Sequence, residues 1–415
     1  MKKSILLNIL FCLTITLSAQ SLLDIYQKGT VKLVPDNTYA QNNDWDEIFT
    51  VSPKSIIVRP DGQLVVNYPS KNYYSLFDQN GKFVKQFGIN NSSGKRIQKI
   101  EAIEAINGNN YITGADNMGN MYYADFDGNY VKSLKLNYMV NYIVPMNNNL
   151  IAVSAWVLYK NTSKDFVAII DCNTNEEKII WKNTRDVAAE RGITLEIPKG
   201  KNESNMEALS YHIISLASAK PATNNNSYPF IFFINNCLIV ADPKDGEIMT
   251  YNTSGKLLSK EMIEHEQKFI SVEEQKTYLK KIISQMDNSY INIGQDITEA
   301  EEKEIRMQLV KQMEAQINDK KEPIKIPAFA TVIKDSDDNL LIFEMPEETG
   351  GNKFNVWIFK DGGQFVCQSS FTCDDYDLSI MPSKMVFHNG YIYSLQSPKN
   401  SKDNSLQLVR FKLTN

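Results

Sequence analysis

Histidine is scarce in this chain: His212, His265 and His388 are the only three. No His-x-x-x-His pair and no His/Cys cluster joins them, so the spacings that hold zinc are missing. Asp335-Ser336-Asp337-Asp338-Asn339 begins like a calcium loop, which needs oxygen ligands at alternate positions. The match stops at the sixth position, Leu340 where the sharp turn needs glycine, and at the twelfth, Pro346 where a bidentate glutamate belongs. The segment therefore reads as a solvated turn. Asp374-Asp375-Tyr376-Asp377 is a denser acidic cluster, a candidate for calcium or a cationic ligand against the plainer reading of a polar loop. No Gly-x-Ser-x-Gly elbow and no phosphate-cradling Gly-Lys-Ser/Thr loop occurs. No catalytic residue is assigned on these grounds. Trp156 and Tyr159 are aromatics in a predicted loop and candidates to stack on a sugar or a peptide. Trp45 reads as packing.

Charge and cysteine content narrow the classes. Lys2 and Lys3, the apolar run Ile5 to Leu17 and Leu17-Ser18-Ala19 predict a cleaved signal peptide over residues 1–19. A lipid anchor at Cys12 fits less well, because Phe11 precedes it and the apolar run continues past it. The mature chain, residues 20–415, then carries 42 basic against 49 acidic residues, a net charge of −7. Such a balance argues against nucleic acid, which needs a basic footprint. No later segment is long and apolar enough for a transmembrane helix, so the expected location is periplasmic, cell-surface or secreted. Cys172, Cys237, Cys367 and Cys373 allow one or two disulfides in an oxidising compartment; free buried thiols are equally compatible.

The elements that must carry these residues repeat. Ile56–Val58, Leu64–Val66, Tyr73–Phe77 and Phe83–Phe87 read as four short strands. Arg59-Pro60-Asp61-Gly62 and Asp78-Gln79-Asn80-Gly81 turn the first and last pairs. The same order of apolar strand and Asn/Asp/Gly turn restarts at Ile103, Tyr142, Phe230, Ala330 and Lys384. One such meander cannot bury both faces, but six in series predict an all-β, six-bladed β-propeller of four-stranded antiparallel blades. The sixth unit has only three strands. Thr30–Val34, ahead of the first unit, is expected to supply the fourth and close the ring, removing two exposed edges.

Phe77-Asp78-Gln79-Asn80-Gly81-Lys82-Phe83-Val84 and Ala124-Asp125-Phe126-Asp127-Gly128-Asn129-Tyr130-Val131 resemble the outer hairpin of NHL-type six-bladed propellers. With the signal peptide, the chain is similar to exported bacterial propellers of that kind, most of which have no assigned activity. The resemblance implies a fold and little chemistry. It also carries an alternative: some NHL-like propellers are hydrolases or lyases that hold a divalent metal, calcium among the candidates, in the central channel. Such ligands come from separate blades with no fixed spacing.

Two insertions interrupt the repeat, 183–227 between the third and fourth units and 259–327 between the fourth and fifth. In an antiparallel meander, the outer-to-inner links and the second-to-third-strand loops share one face. That face therefore carries both insertions and the loops Trp156–Lys164, Glu344–Lys353 and Gln396–Asn404. Segments 186–191 and 206–219 are expected to be helical. The second insertion predicts a helical hairpin: Ser271/Glu274 and Thr298/Glu301 fit capping boxes. Val272, Leu279, Ile282, Ile283 and Met286 fall at helical spacing, as do Ile305, Leu309, Met313 and Ile317. The hairpin is expected either to pack on the rim or to act as a lid or docking arm. The resulting expectation is a non-enzymatic binding module whose elaborated face holds a glycan, a peptide or a partner protein.

Overall fold

The computed structural model describes residues 21–41, 43–48, 55–68, 73–97, 105–106, 111–116, 119–147, 149–159, 162–186, 228–286, 298–345, 353–378, 384–399 and 406–415. The expected signal peptide lies outside them. So do the two helical segments expected in the first insertion, 186–191 and 206–219, except for Asp186, which ends a strand.

Helix α1 (Leu22–Tyr26) starts on a capping box in which Ser21 and Asp24 bond each other's main chain. Strand β1 (Val31–Pro35) and the short helix α2 (Trp45–Ile48) follow. β2 (Ser55–Val58), β3 (Leu64–Tyr68), β4 (Tyr73–Phe77) and β5 (Phe83–Phe87) form one four-stranded antiparallel sheet. β6 (Ala105–Ile106), β7 (Ile112–Ala115), β8 (Asn120–Ala124) and β9 (Tyr130–Lys135) form a second. A third comprises β10 (Met139–Pro145), β11 (Leu150–Tyr159), β12 (Thr162–Asp171) and β13 (Glu177–Asp186). A fourth comprises β14 (Phe230–Ile234), β15 (Cys237–Asp242), β16 (Glu247–Asn252) and β17 (Leu257–Met262). Strands β18 (Phe269–Ile270) and β19 (Ile324–Lys325) pair with each other. They flank helices α3 (Val272–Met286) and α4 (Glu299–Asp319). The remaining strands are β20 (Phe329–Lys334), β21 (Leu340–Glu344), β22 (Lys353–Lys360), β23 (Gln364–Thr372), β24 (Tyr376–Asp377), β25 (Met385–His388), β26 (Tyr391–Pro398) and β27 (Gln407–Thr414).

These last strands and β1 make one nine-stranded sheet. It divides into the meander β20–β23 and the meander β25–β26–β27–β1. β1 runs antiparallel to β27, Lys32 opposite Thr414 and Pro35 opposite Phe411, as a closing strand should. Its other edge pairs in parallel with β23, Val31 opposite Phe371 and Lys32 opposite Thr372. That second pairing is absent from the sequence expectation; a two-residue bridge leaves no pattern to read.

The inner strands touch in cyclic order: β2 meets β6, β6 meets β10, β10 meets β14, β14 meets β20, β20 meets β25, and β25 returns to β2. This is a mainly-β propeller with small four-stranded antiparallel blades and few helices. Its core is not one central mass. It is a series of apolar layers between neighbouring sheets, such as Phe230, Ile239 and Ile248 against Val332, Ile342 and Trp357. Ile56, Leu64 and Val66 likewise meet Tyr393, Leu395 and Leu408. Middle strands are therefore covered on both faces, and β3 and β7 are buried throughout. The outer strand β17 is exposed at all six residues.

The turns share one device. The Asp78 carboxylate accepts the main-chain N–H groups of Asn80 and Lys82, both at 2.9 Å. Asp125 does the same for Asp127 and Asn129, at 2.9 and 2.8 Å. An aspartate two and four residues before the amides it caps thus fixes the hairpin without a partner strand. Gly128 completes its turn at φ +86°, with the Gly88 carbonyl so close that any Cβ would sit 2.1 Å from it.

Candidate functional site

The meander topology gives the propeller two unlike ends. One carries the turns after each first and third strand; the other carries the second-to-third links and the blade-to-blade connections. Between the inner strands lies a cavity of about 690 Å³. β2, β10, β14, β20 and β25 wall it, and each of them pairs on one side only, so its free main-chain edge is turned inward. The side chains among the wall residues are mostly apolar. Polar groups gather at the short-turn end: Lys334, Asp335, Ser336, His388 and Asn389. Lys334 pairs with Asp338, and the Ser336 hydroxyl accepts the Gly390 N–H at 3.3 Å.

Asp335 corrects the sequence expectation of a solvated turn. It is 2% exposed. Its carboxylate accepts from the Tyr26 hydroxyl at 3.0 Å, from the Asn339 side chain at 2.9 Å, and from the Asp337 and Asn339 amides at 2.9 and 2.8 Å. Burial raises its pKa against these bonds. The carboxylate is the turn's own scaffold and the anchor for α1.

On the elaborated end, the structure turns the expected loop Trp156–Lys164 into a strand arm. β11 and β12 pair without a break from Leu150/Asp171 to Tyr159/Thr162, and β13 extends beside them as far as Asp186. The first residues of the 183–227 insertion are thus strand. The reason is a polar cluster buried between the strands. Asp165, 1% exposed, pairs with Arg185, 5% exposed, and accepts the Ser163 hydroxyl at 2.5 Å. The Arg185 guanidinium lies 4.7 Å from the Tyr228 ring centroid, and Trp156 packs on the same ring at 5.9 Å. Trp156 is therefore half-buried and structural in part. Tyr159 ends β11 opposite Thr162; its side chain lies outside the described residues.

The acidic cluster sits elsewhere, three places round the cycle of inner strands, where the chain leaves β23 for the last meander. Asp374 is bound by Lys32 of β1 at 2.5 Å, and that bond lowers its pKa. The Asp375 carbonyl accepts the Lys399 N–H at 2.9 Å. Asp377, in β24, lies opposite Ser397, and its side chain is outside the described residues. The structure does not bring this cluster to Trp156. Among the described residues, no three His, Cys, Asp or Glu side chains are close enough to share a metal ion. The four cysteines among the described residues, Cys172, Cys237, Cys367 and Cys373, are free.

The second projection is the helical arm. β17 runs on to Met262, and the segments entering and leaving the arm pair as β18 and β19. Both expected helices form. The Ser271–Glu274 capping box is present, with Ser271 N–H donating to the Glu274 carboxylate at 2.8 Å and Glu274 N–H to the Ser271 hydroxyl at 3.2 Å. The Glu301 side chain of the other predicted box lies outside the described residues. Leu279 and Ile282 of α3 are buried, as are Leu309, Met313 and Ile317 of α4, and the helices pack on each other. At 15 and 21 residues they are about 22 and 31 Å long. Gln275, buried at the base, donates to the Ile270 and Glu322 carbonyls at 3.2 and 3.0 Å. Lys268 reaches Glu344 at 3.1 Å and Lys325 reaches Asp245 at 3.4 Å, joining the neck to the sheets on either side. The neck was not legible in the sequence, since two-residue strands carry no periodicity.

No family model and no curated protein matches the chain. Solved structures do align. A protein of Bacteroides fragilis described as exported covers 93% of this chain and 95% of its own at 11% identity, with a TM-score of 0.47. A member of the DUF4221 family from Bacteroides vulgatus aligns over 93% and 99% at 12% identity and a TM-score of 0.47. A catalytically inactive virginiamycin B lyase from Staphylococcus aureus aligns over 93% and 99%, at 12% identity and a TM-score of 0.41. The fold assignment rests on the strand order and inner-strand contacts above, since likenesses this remote add nothing to it.

Proposed function

We propose that this chain is an exported six-bladed propeller that works as a non-enzymatic binding module. Its elaborated face holds a partner, and a peptide or protein fits better than a glycan. The observation that carries this reading is the asymmetry of the two ends. Among the described residues, one end has short turns, several of them capped by their own Asp or Asn side chain. The other raises a strand arm, the tip of two ten-residue strands, and a helical hairpin from neighbouring parts of the ring. Trp156, the best candidate platform for a sugar, is half-turned into the arm against Tyr228. What remains outward is extended strand edge and helix surface, which suit a polypeptide. Val157 on the arm and Met307 on α4 are exposed apolar side chains, 40% and 51% accessible.

Photo-crosslinking residues placed at Val157 and Met307 test this in the cell envelope of the producing organism, with Asn389 on the short-turn end as control. The expected result is a discrete crosslinked protein from the first two positions and none from the third. Equal or absent crosslinking from all three positions overturns the reading.

A further inference from the structure

Both ends of the helical arm rest on one turn of the fourth sheet, 242–246. The Ile263 N–H donates to the Gly246 carbonyl at 2.9 Å on the way in, and the Ala328 N–H donates to the Pro243 carbonyl at 2.7 Å on the way out. The turn closes on itself through Gly246 N–H to the Asp242 carbonyl at 3.0 Å. Gly246 has φ +70°, and a Cβ there would be 3.2 Å from Ala328 and 3.3 Å from His265, so both neck segments press on it.

Titratable groups are concentrated in this seat. Asp242 is 3% exposed, and its carboxylate accepts the Lys244 N–H at 3.0 Å. Around it stand Lys244 and Asp245 of the same turn, Glu247 at the start of β16 with its partner Lys260 of β17, and Lys325 on β19 bound to Asp245. His265 comes down from the neck. Its Nδ1–H donates to the Ile263 carbonyl at 3.0 Å, which leaves a buried Nε2 without a partner among the described residues.

We infer that this seat is a pH-sensitive latch: the helical arm is held more firmly when Asp242 is protonated and is released more readily when it is ionised. Burial raises the Asp242 carboxyl to about 6 in the seated arrangement, with Asp245 and Glu247 adding to it against the Lys244 bond. Opening the seat hydrates the carboxylate and returns it toward its ordinary value of 3.8. The seated state therefore binds the proton more tightly. Its advantage is full below the ordinary value and is lost as pH rises through about 6.

Hydrogen exchange at the Ile263, Ile326 and Ala328 amides of the whole protein, corrected for intrinsic rates, tests the latch at pH 5 and pH 7.5. No ligand is needed, so the outcome is independent of the binding reading. The expected result is protection lower by up to about tenfold at the higher pH, with amides of β3 unchanged. Asp242→Asn, neutral at both values, removes the difference. Equal protection of the wild-type amides at the two pH values overturns the proposal by itself, whatever the variant does. So does a pH difference that survives in a folded Asp242→Asn.

Discussion

The seam that closes the ring and the neck that carries the helical arm solve the same problem, attaching a segment to the propeller, in opposite ways. At the seam, β1 has four residues in register with β27 and a further edge on β23. Val31 and Leu33 are fully buried there. The Arg410 guanidinium donates to Asp36 at 2.7 and 3.2 Å and lies 4.6 and 4.8 Å from the ring centroids of Tyr39 and Tyr391. At the neck, two residue pairs of strand, two main-chain bonds to the 242–246 turn, two partly exposed ion pairs and one buried glutamine do the holding. Apolar burial and a desolvated, stacked ion pair are worth several times an exposed one. The seam should fail only when the whole fold fails. The neck should open by itself.

The comparison can be broken at the seam first. Leu33→Ala removes a fully buried β1 side chain from the apolar layer between the last two meanders, and should destabilise the protein globally by about 2–5 kcal/mol. Denaturant unfolding followed by tryptophan fluorescence checks it; a loss under about 1 kcal/mol would mean the ring holds without its closing strand. Next is Asp36→Asn, expected to cost about 1–2 kcal/mol at neutral pH. The Thr38 hydroxyl, helped by Arg410, holds the Asp36 carboxyl down at about 2. This depressed value gives stability above the ordinary carboxylate range that disappears as pH falls toward 2. The gap between wild type and variant in thermal melts should therefore close in acid. A gap of constant size would show that the charge is not what matters.

Gln275→Ala sharpens the other side. It should weaken the neck by about 1 kcal/mol, read as faster exchange of α3 and α4 amides with no change in the propeller's main melt. A shift of that melt would show the arm and propeller to be one cooperative unit. The smallest effect belongs to Lys32→Gln. Its partner Asp374 is 65% exposed, and the melting temperature should not move measurably.

What the sequence made legible is local. The Asp78-Gln79-Asn80-Gly81 and Asp125-Phe126-Asp127-Gly128-Asn129 turns cap their own amides, so their meaning is contained in five residues. The alternating stretch Thr30–Val34 revealed a closing strand, found at Val31–Pro35. The helical hairpin announced itself through a capping box and helical spacing. What stayed hidden depends on partners far along the chain. Asp335 looked solvated because the hydroxyl that buries it belongs to Tyr26, 309 residues away. The segment after Trp156 looked like a loop because Ser163 and Asp165 are polar. Their burial depends on Arg185, which neutralises Asp165 across the strands. Asp242 carried no motif at all; its burial beside the neck belongs to the fold.

The double pairing of β1 also has a consequence in time. During synthesis β1 emerges before the strands it pairs with, since both β23 and β27 lie far downstream. Its earliest partner lies about 340 residues downstream. The order of manufacture and the order of assembly are thus inverted at this point. An unfinished chain keeps an apolar strand waiting, and only arrival of the last residues of β27 lets the fold lock.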